Sequence, residues 1–500
     1  MHAAFAALAV GAAAFAPIST FRPAAAPARV RHAPLRSVAA APAVQWDTLE
    51  TPAVGYDKWA SELDYPAFRK EVHALGTKLG NEQGVEDVKH LQKMIMWSNG
   101  FGAMGLACMW MSNPLGRLMS IIGLSTWTCT RWTMIGHHIS HGGYNRQDKS
   151  GGQDFKGRYT TYGFAVGSVW RRARDWFDWM LPEAWNIEHN NLHHYRLGEA
   201  GDPDLVERNL ELMRSLPIPK PLKYVAVAFL AAMWKWYYYA PNTYKQLKIS
   251  EMRKRGEIVS EEEAHEAYVL PMVFFLPSEG RKFGTGPIDF MTKCMGPYLF
   301  LRFFALPAPL FFINPAFFWA AVTNLALSDV LSNIHSFIII ATNHCGDDMY
   351  KFVNSCAPRS ASYYMRAITS SANFRTSNGV DKDGNARKVH GFRADVNDFF
   401  HGWLNYQVEH HAFPQLSMLS YQKSAPQMRA ICEKHGVPYV QQNVFRRLKK
   451  TADIMVGATD MRPFDESWEY PPDKFTWADQ KTLEAQALKD QLAGTEKAIE

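Results

Sequence analysis

Residues 94–111 read MIMWSNGFGAMGLACMWM, residues 113–116 read NPLG, and residues 118–143 read LMSIIGLSTWTCTRWTMIGHHISHGG. The first run is 18 residues without a charge, long enough to be a membrane helix. Asn113-Pro114-Leu115-Gly116 supplies turn chemistry, and a second apolar run begins at Leu118. The pattern predicts a helical hairpin through a membrane. Directly beyond it come three histidines, His137, His138 and His141.

Pro297 to Ile313 and Ala316 to Asn343 are again apolar and divided by Asn314-Pro315, which predicts a second hairpin. Arg302 and Asp329 interrupt it. Ionisable residues at membrane depth face the bundle interior or a polar cavity, and pairing between helices is their simplest role. Tyr224 to Ala240 is also apolar, but Lys235 sits in a Trp-Lys-Trp-Tyr-Tyr-Tyr cluster, which suits a helix lying in the interface. The expected fold is therefore an all-α integral membrane protein. Two transmembrane hairpins, about four spanning helices in all, carry an interfacial helix and a polar helical cap. If each hairpin crosses twice, residues 131–223 and 344–445 share one face of the membrane.

Those two stretches hold the histidine clusters. His137, His138 and His141 form H-H-x-x-H; His189, His193 and His194 form H-x-x-x-H-H; and Gln407, Val408, Glu409, His410 and His411 form Q-x-x-H-H. Residues four apart share a helix face, so His137 with His141, and His189 with His193, are each expected to present two imidazoles to a common point. Adjacent histidines turn by roughly 100° and reach different metals. This is the spacing of a two-metal cage. Many neutral imidazoles with few carboxylates suit iron, copper or zinc and argue against calcium and magnesium.

Composition agrees with a membrane protein and argues against a nucleic-acid partner. The net charge is +6, of which four arginines in residues 1–46, unopposed by any acid, supply +4, leaving +2 for the rest. The 16 tryptophans suit a chain that meets lipid headgroups. Six cysteines without a C-x-x-C pair read as reduced thiols. Residues 1–14 read as a signal-like segment and 15–46 as a plastid transit-like segment, rich in Ala, Pro, Arg and Ser. The junction Ala-Phe-Ala-Pro at 14–17 is similar to that of algae with complex plastids. Neither segment is expected to belong to the fold. A polar region over 47–93, a membrane domain over 94–445 and a polar tail over 446–500, with a charged helix at 481–500, complete the expected organisation.

From about residue 130 to 445 the chain resembles the membrane fatty acid desaturases, and more narrowly their front-end acyl desaturases. The resemblance rests on the three clusters in order, on Asn373-Phe374, on the run from Gly402 to Pro414, and on Ala425 to Tyr439. It implies an oxygen-dependent desaturase with two iron ions, ligated by His137, His141, His189, His193, His194, His410 and His411, with Gln407 at the family's variable position. The family adds one further ligand near the end of the fourth membrane helix. His335 and His344 are the candidates, and His344, at the polar end, is preferred. His138 stands where the first cluster often has Asp, and reads as a partner behind the ligands.

Glu188, Asp202, Asp204, Asp347, Asp348 and Glu409 stand beside these histidines as candidates to orient imidazoles, or as solvated surface acids. Trp127, Trp132, Trp185 and Tyr195 are candidates to line an apolar acyl tunnel. Thr376 to Ala394, with Asp381-Lys382-Asp383-Gly384, reads as a surface turn. The cytochrome b5 signature His-Pro-Gly-Gly does not occur in the sequence, so the resemblance implies a separate electron donor, ferredoxin in a plastid or else a separate cytochrome b5. The expected partners are a lipid acyl chain, dioxygen, the donor and the membrane. Two rival readings are a hydroxylase or other oxidase of sphingolipid or carotenoid on the same scaffold, and a metal-binding membrane transporter. A transporter places ionisable ligands within its spans, whereas these clusters lie outside them.

Overall fold

The computed structural model describes residues 44–46, 55–147, 157–260, 264, 283, 285–376 and 391–475. The leader up to residue 43, the Asp381–Gly384 turn and the charged helix at 481–500 lie outside the described residues. Residues 44–46, expected to close a leader outside the fold, instead form strand β1 (Val44–Trp46), which pairs in parallel with residues 439–441.

Helix α1 (Tyr65–Glu82) is capped by the Asp64 side chain, which accepts from the Ala67 amide, and buries Phe68, Val72, Leu75 and Leu79 along one stripe. Helix α2 (Val85–Cys108) starts nine residues before the apolar run, and the Asp87 carboxylate accepts from the Gly84 amide to close its first turn. Helix α3 (Pro114–Thr130) is capped by Asn113. The two pack backbone to backbone: a Cβ on Gly123 would lie 2.7 Å from both the Gly105 nitrogen and the Phe101 carbonyl oxygen. Beyond α3 the chain runs on through a π-helical turn, Arg131–Gly136, into His137–Ser140.

Helix α4 comprises Pro182–Trp185, a π-helical run Asn186–His193, and His194–Arg196. Helix α5 comprises Lys220–Trp234, the π-helical Lys235–Tyr239, and Ala240–Lys254. Helices α6 (Pro287–Ile313) and α7 (Pro315–Asn343) form the second hairpin and are the two helices, among the described residues, long and apolar enough to cross a membrane. The first hairpin forms but falls short of that apolarity. Its α2 opens with Glu86, Asp87, Lys89, His90 and Lys93, and its α3 is 17 residues with Arg117 inside. Four spans therefore do not stand on composition. The free face of α3 nonetheless exposes Leu115, Leu118, Met119 and Ile122, and α6 and α7 expose Phe300, Phe304, Phe312 and Trp319.

Two charged pairs lie inside this helical body. Arg302 meets Asp329 at 2.7 Å with both side chains buried, and Asp329 also accepts from the Trp179 indole and the Tyr298 hydroxyl. Lys235 points into this body: its side chain is 1% exposed and lies 2.8 Å from Asp178. The outer face of the same helix, Leu222, Val225 and Phe229, is exposed.

The cap follows: α8 (Ala361–Thr369), strand β2 (Asn373–Phe374), α9 (Phe392–Phe400), α10 (Gln407–Ala412), α11 (Met418–His435), strand β3 (Tyr439–Gln442) and α12 (Val444–Met455). β3 is the centre of a three-stranded parallel sheet in the order β1-β3-β2. Gly402, at φ +62°, brings α9 and α10 against the first histidine cluster, since a Cβ there would lie 2.8 Å from the Thr133 hydroxyl. All six cysteines are free and buried.

Candidate metal centre

The end of the α3 extension, α4, the end of α7 and α10 converge in one buried place. His137, His141, His189, His194 and His410 form one pocket and His193, His344 and His411 a second, with the ligand nitrogens of each pocket within 4.8 Å of one another. His189, His193 and Asp204 meet the same limit.

Local backbone geometry decides who shares a pocket. His137 and His141, four apart, enter the same pocket. His189 and His193, also four apart, meet beside Asp204, but His193 also faces His344 and His411 in the second pocket. Through the second cluster the helix is π-helical, and the His194 amide bonds the His189 carbonyl five residues back. His189 therefore lines up with His194, their Nε2 atoms 3.3 Å apart, and His193 turns to the second pocket. The expected His189–His193 pair stands beside Asp204, and the π-helical turn adds His194 to His189. The adjacent His410 and His411 diverge into different pockets.

In the first pocket His189 Nε2 lies 2.9 Å from His137 Nε2, and His410 Nε2 lies 3.1 Å from His194 Nε2. In the second, His344 Nε2 lies 3.2 Å from His411 Nε2, and the Gln407 amide is 2.8 Å from His344 and 3.2 Å from His411. Gln407 Oε1 and His141 Nε2 are buried without a hydrogen-bond partner among the described residues. His137 and His344 spend their one ring proton on Nδ1, so their Nε2 atoms turn bare lone pairs into the pockets. A cation with bonds of about 2.1 Å separates adjacent ligands by about 3 Å, so the donor set fits metal ions.

Electrostatics agrees. Burial pushes His137, His141, His189, His194, His410 and His411 well below the ordinary imidazole range, and His344 down to about 3, which keeps the rings in the neutral, ligating form. His193 goes the other way. Burial opposes its charge, but the carboxylates of Asp202 and Asp204 outweigh it and hold the ring above its usual value.

Second nitrogens are engaged in several rings. His137 Nδ1 donates to the Thr133 carbonyl at 3.1 Å, His193 Nδ1 to Asp202 at 2.8 Å, and His344 Nδ1 to the Ser370 carbonyl at 3.2 Å. His410 Nδ1 lies 3.2 Å from the Tyr421 hydroxyl. His138 stands behind the first pocket, its Nδ1 donating to the Met134 carbonyl at 2.6 Å. His335 is elsewhere, with Nε2 donating to the Phe400 carbonyl at 2.8 Å.

Of the acids considered for orienting imidazoles, Asp202 makes that hydrogen bond and Asp204 stands 3.8 Å from the same His193 nitrogen. Asp348 is instead paired with Arg447 and Lys450, and Asp347 with Lys450. Glu409 is held by Tyr439 at 2.7 Å and Asn373 at 2.9 Å, and burial raises it to about 7. Glu188 is buried with neither oxygen hydrogen-bonded among the described residues, and burial beside Asp204 and Asp202 pushes it well above the carboxylate range. Tyr421 and Ser370 escaped sequence reading because no local spacing ties them to a cluster. Asn373 was visible only as part of a motif, and its position explains it: it accepts from the Val408 amide at 2.9 Å and fixes the start of α10.

A cavity walled by His137, His189, His193, His344 and Gln407 extends among Trp132, Trp185, Leu230, Trp234, Phe337, Ile340 and Met455. Trp132 and Trp185 were expected there. Trp127 and Tyr195 are not in its wall: Trp127 packs under Arg131 and against Phe177, and Tyr195 against Tyr363.

Residues 109–443 match the sequence profile of the fatty acid desaturase family. Over 69 residues the chain is 39% identical to a fatty acid desaturase 2-like protein of Mus musculus, and over 68 residues it is 37% identical to fatty acid desaturase 3 of Bos taurus. Over 79 residues it is 33% identical to the acyl-lipid (9-3)-desaturase of Borago officinalis. These alignments cover 12–14% of this chain and 14–18% of the relatives' own lengths. No solved structure matches.

Proposed function

The chain belongs to the fatty acid desaturase family, and from that premise we propose that it is an acyl-lipid desaturase with two iron ions in its two imidazole pockets. The observation that carries this reading is that both pockets share a wall with one apolar cavity. The reaction takes two hydrogens from adjacent methylenes and, with dioxygen, two electrons and two protons, yields a double bond and two waters. Bound iron would supply the activation of dioxygen and the removal of hydrogen from an unactivated methylene.

The protein's share is positioning. His137, His141, His189, His194 and His410 would hold one ion; His193, His344 and His411 the other, with Gln407 able to turn its carbonyl oxygen inward. Thr133, Asp202 and Ser370 fix ring orientation through Nδ1. Trp132, Trp185, Leu230 and Phe337 hold the acyl chain against the pockets and exclude water. Gln407 supports front-end regioselectivity. Four helices, α2, α3, α6 and α7, embed the chain in a plastid membrane, and the electrons come from a separate protein, ferredoxin or cytochrome b5.

The test is expression of residues 43–500, which keeps β1, in a desaturase-poor host with a plastid-type ferredoxin, beside a His193→Ala partner. Lipids are profiled by mass spectrometry with double-bond localisation. A new double bond lost in the variant is expected. A product heavier by one oxygen would make the enzyme a hydroxylase, and a folded protein without iron would overturn the reading.

A further inference from the structure

The aromatic cluster at residues 234–239 is not surface decoration. Trp234 and Tyr239 are buried, as is Trp185, and together they make a continuous path to the first imidazole pocket. Trp185 lies flat on His189, with ring centroids 4.2 Å apart and planes within 16°. Its indole N–H donates to the Tyr239 hydroxyl at 3.3 Å, and that hydroxyl donates to Asp204 at 3.5 Å. Tyr239 stacks on Trp234 at 4.9 Å and 18°. Tryptophan and tyrosine are among the side chains that give up an electron most readily, and rings in contact pass one between them easily. A phenol gives up its electron best when its proton has an acceptor already in place, which Asp204 provides here.

Resting on the desaturase reading above, the geometry points to a Trp185–Tyr239–Trp234 relay that discharges the metal centre when dioxygen has been reduced there without an acyl chain to oxidise. Bound iron that has reduced dioxygen with no acyl chain in place would supply the oxidising equivalent. Trp185 gives it one electron through His189 and becomes an indole radical cation. Tyr239 then gives an electron to Trp185, its phenolic proton passes along the hydrogen bond to the Asp204 carboxylate, and a neutral tyrosyl radical remains. Trp234, stacked on Tyr239, is the next donor. Its electron, with the proton returned by Asp204, restores the phenol, and one electron from the reductant that serves the centre refills Trp234. Each pass removes one oxidising equivalent from beside imidazoles that would otherwise be attacked.

The experiment uses the full chain in nanodiscs, loaded with iron, reduced, and exposed to dioxygen without lipid substrate. Iron content and dioxygen uptake are measured on the same samples, with freeze-quenched electron paramagnetic resonance and peptide mass spectrometry as readouts. A tyrosyl signal is expected, falling at least fivefold per iron in Tyr239→Phe, while oxidised Trp185 rises several-fold. In Trp185→Phe the tyrosyl signal should fall similarly and oxidised ligand histidines should increase. If iron is bound and dioxygen consumed but the signal survives Tyr239→Phe, or oxidation falls outside these residues, the relay is wrong and the desaturase reading stands. If no iron is bound, both fall together.

Discussion

Asp202→Asn is expected to weaken iron binding in the His193–His344–His411 pocket about 10- to 100-fold while the five-histidine pocket stays loaded. Asp202 Oδ1 accepts from His193 Nδ1 at 2.8 Å and from the Asp204 amide at 2.9 Å, and Oδ2 accepts from the Gly198 amide at 3.0 Å. An asparagine has one oxygen where two are needed. With its amide nitrogen in either place, a donor faces a donor, at a buried site where an unmet hydrogen bond costs about 1–3 kcal/mol. Each 1.4 kcal/mol is about tenfold in affinity, so most of that cost appears as loss of His193 orientation. Iron is titrated by dialysis against buffered ferrous ion, with Mössbauer spectra following each site. Two-site loading indistinguishable from the unaltered protein across the whole titration would refute the reasoning.

His344→Ala should remove one iron while His335→Ala retains both, because only His344 has its Nε2 in a pocket; metal analysis of the two purified variants decides it. Asp329→Ala should destabilise the protein by about 3–5 kcal/mol by leaving Arg302 buried and unpaired, whereas the double change Arg302→Met, Asp329→Leu should recover most of the loss; thermal unfolding in detergent reads both. Gly123→Ala should cost about 1–3 kcal/mol, since its methyl meets the backbone of α2 rather than a movable side chain, and the same unfolding assay applies. Gln407→Ala should lower iron affinity less than His411→Ala does, because His344 and His411 still face each other without it; parallel ferrous titrations compare them.

By itself the sequence determined that three histidine clusters would meet beside apolar helices. The spacing of imidazoles, the turn residues of the hairpins and the length of the uncharged runs are local properties, and local periodicity records them. It also told His410 from His411, because neighbours on any helix diverge. Which histidines share a pocket follows from the folded backbone and not from spacing. The sequence of α4 carries no sign that its turns are π-helical, and that one change of hydrogen-bond register brings His194 to His189 while His193 also faces His344 and His411. Likewise His335 and His344 are both plausible from one strand of text, and the choice depends on which side of α7 meets α10. The roles of Lys235, Asp348 and Glu409 were equally out of reach, since a charge is read as surface until a distant Asp178, Arg447 or Tyr439 is seen to meet it. Partners far apart in the chain leave no trace in spacing, and it is the folded core's need to satisfy every buried polar group that assigns them.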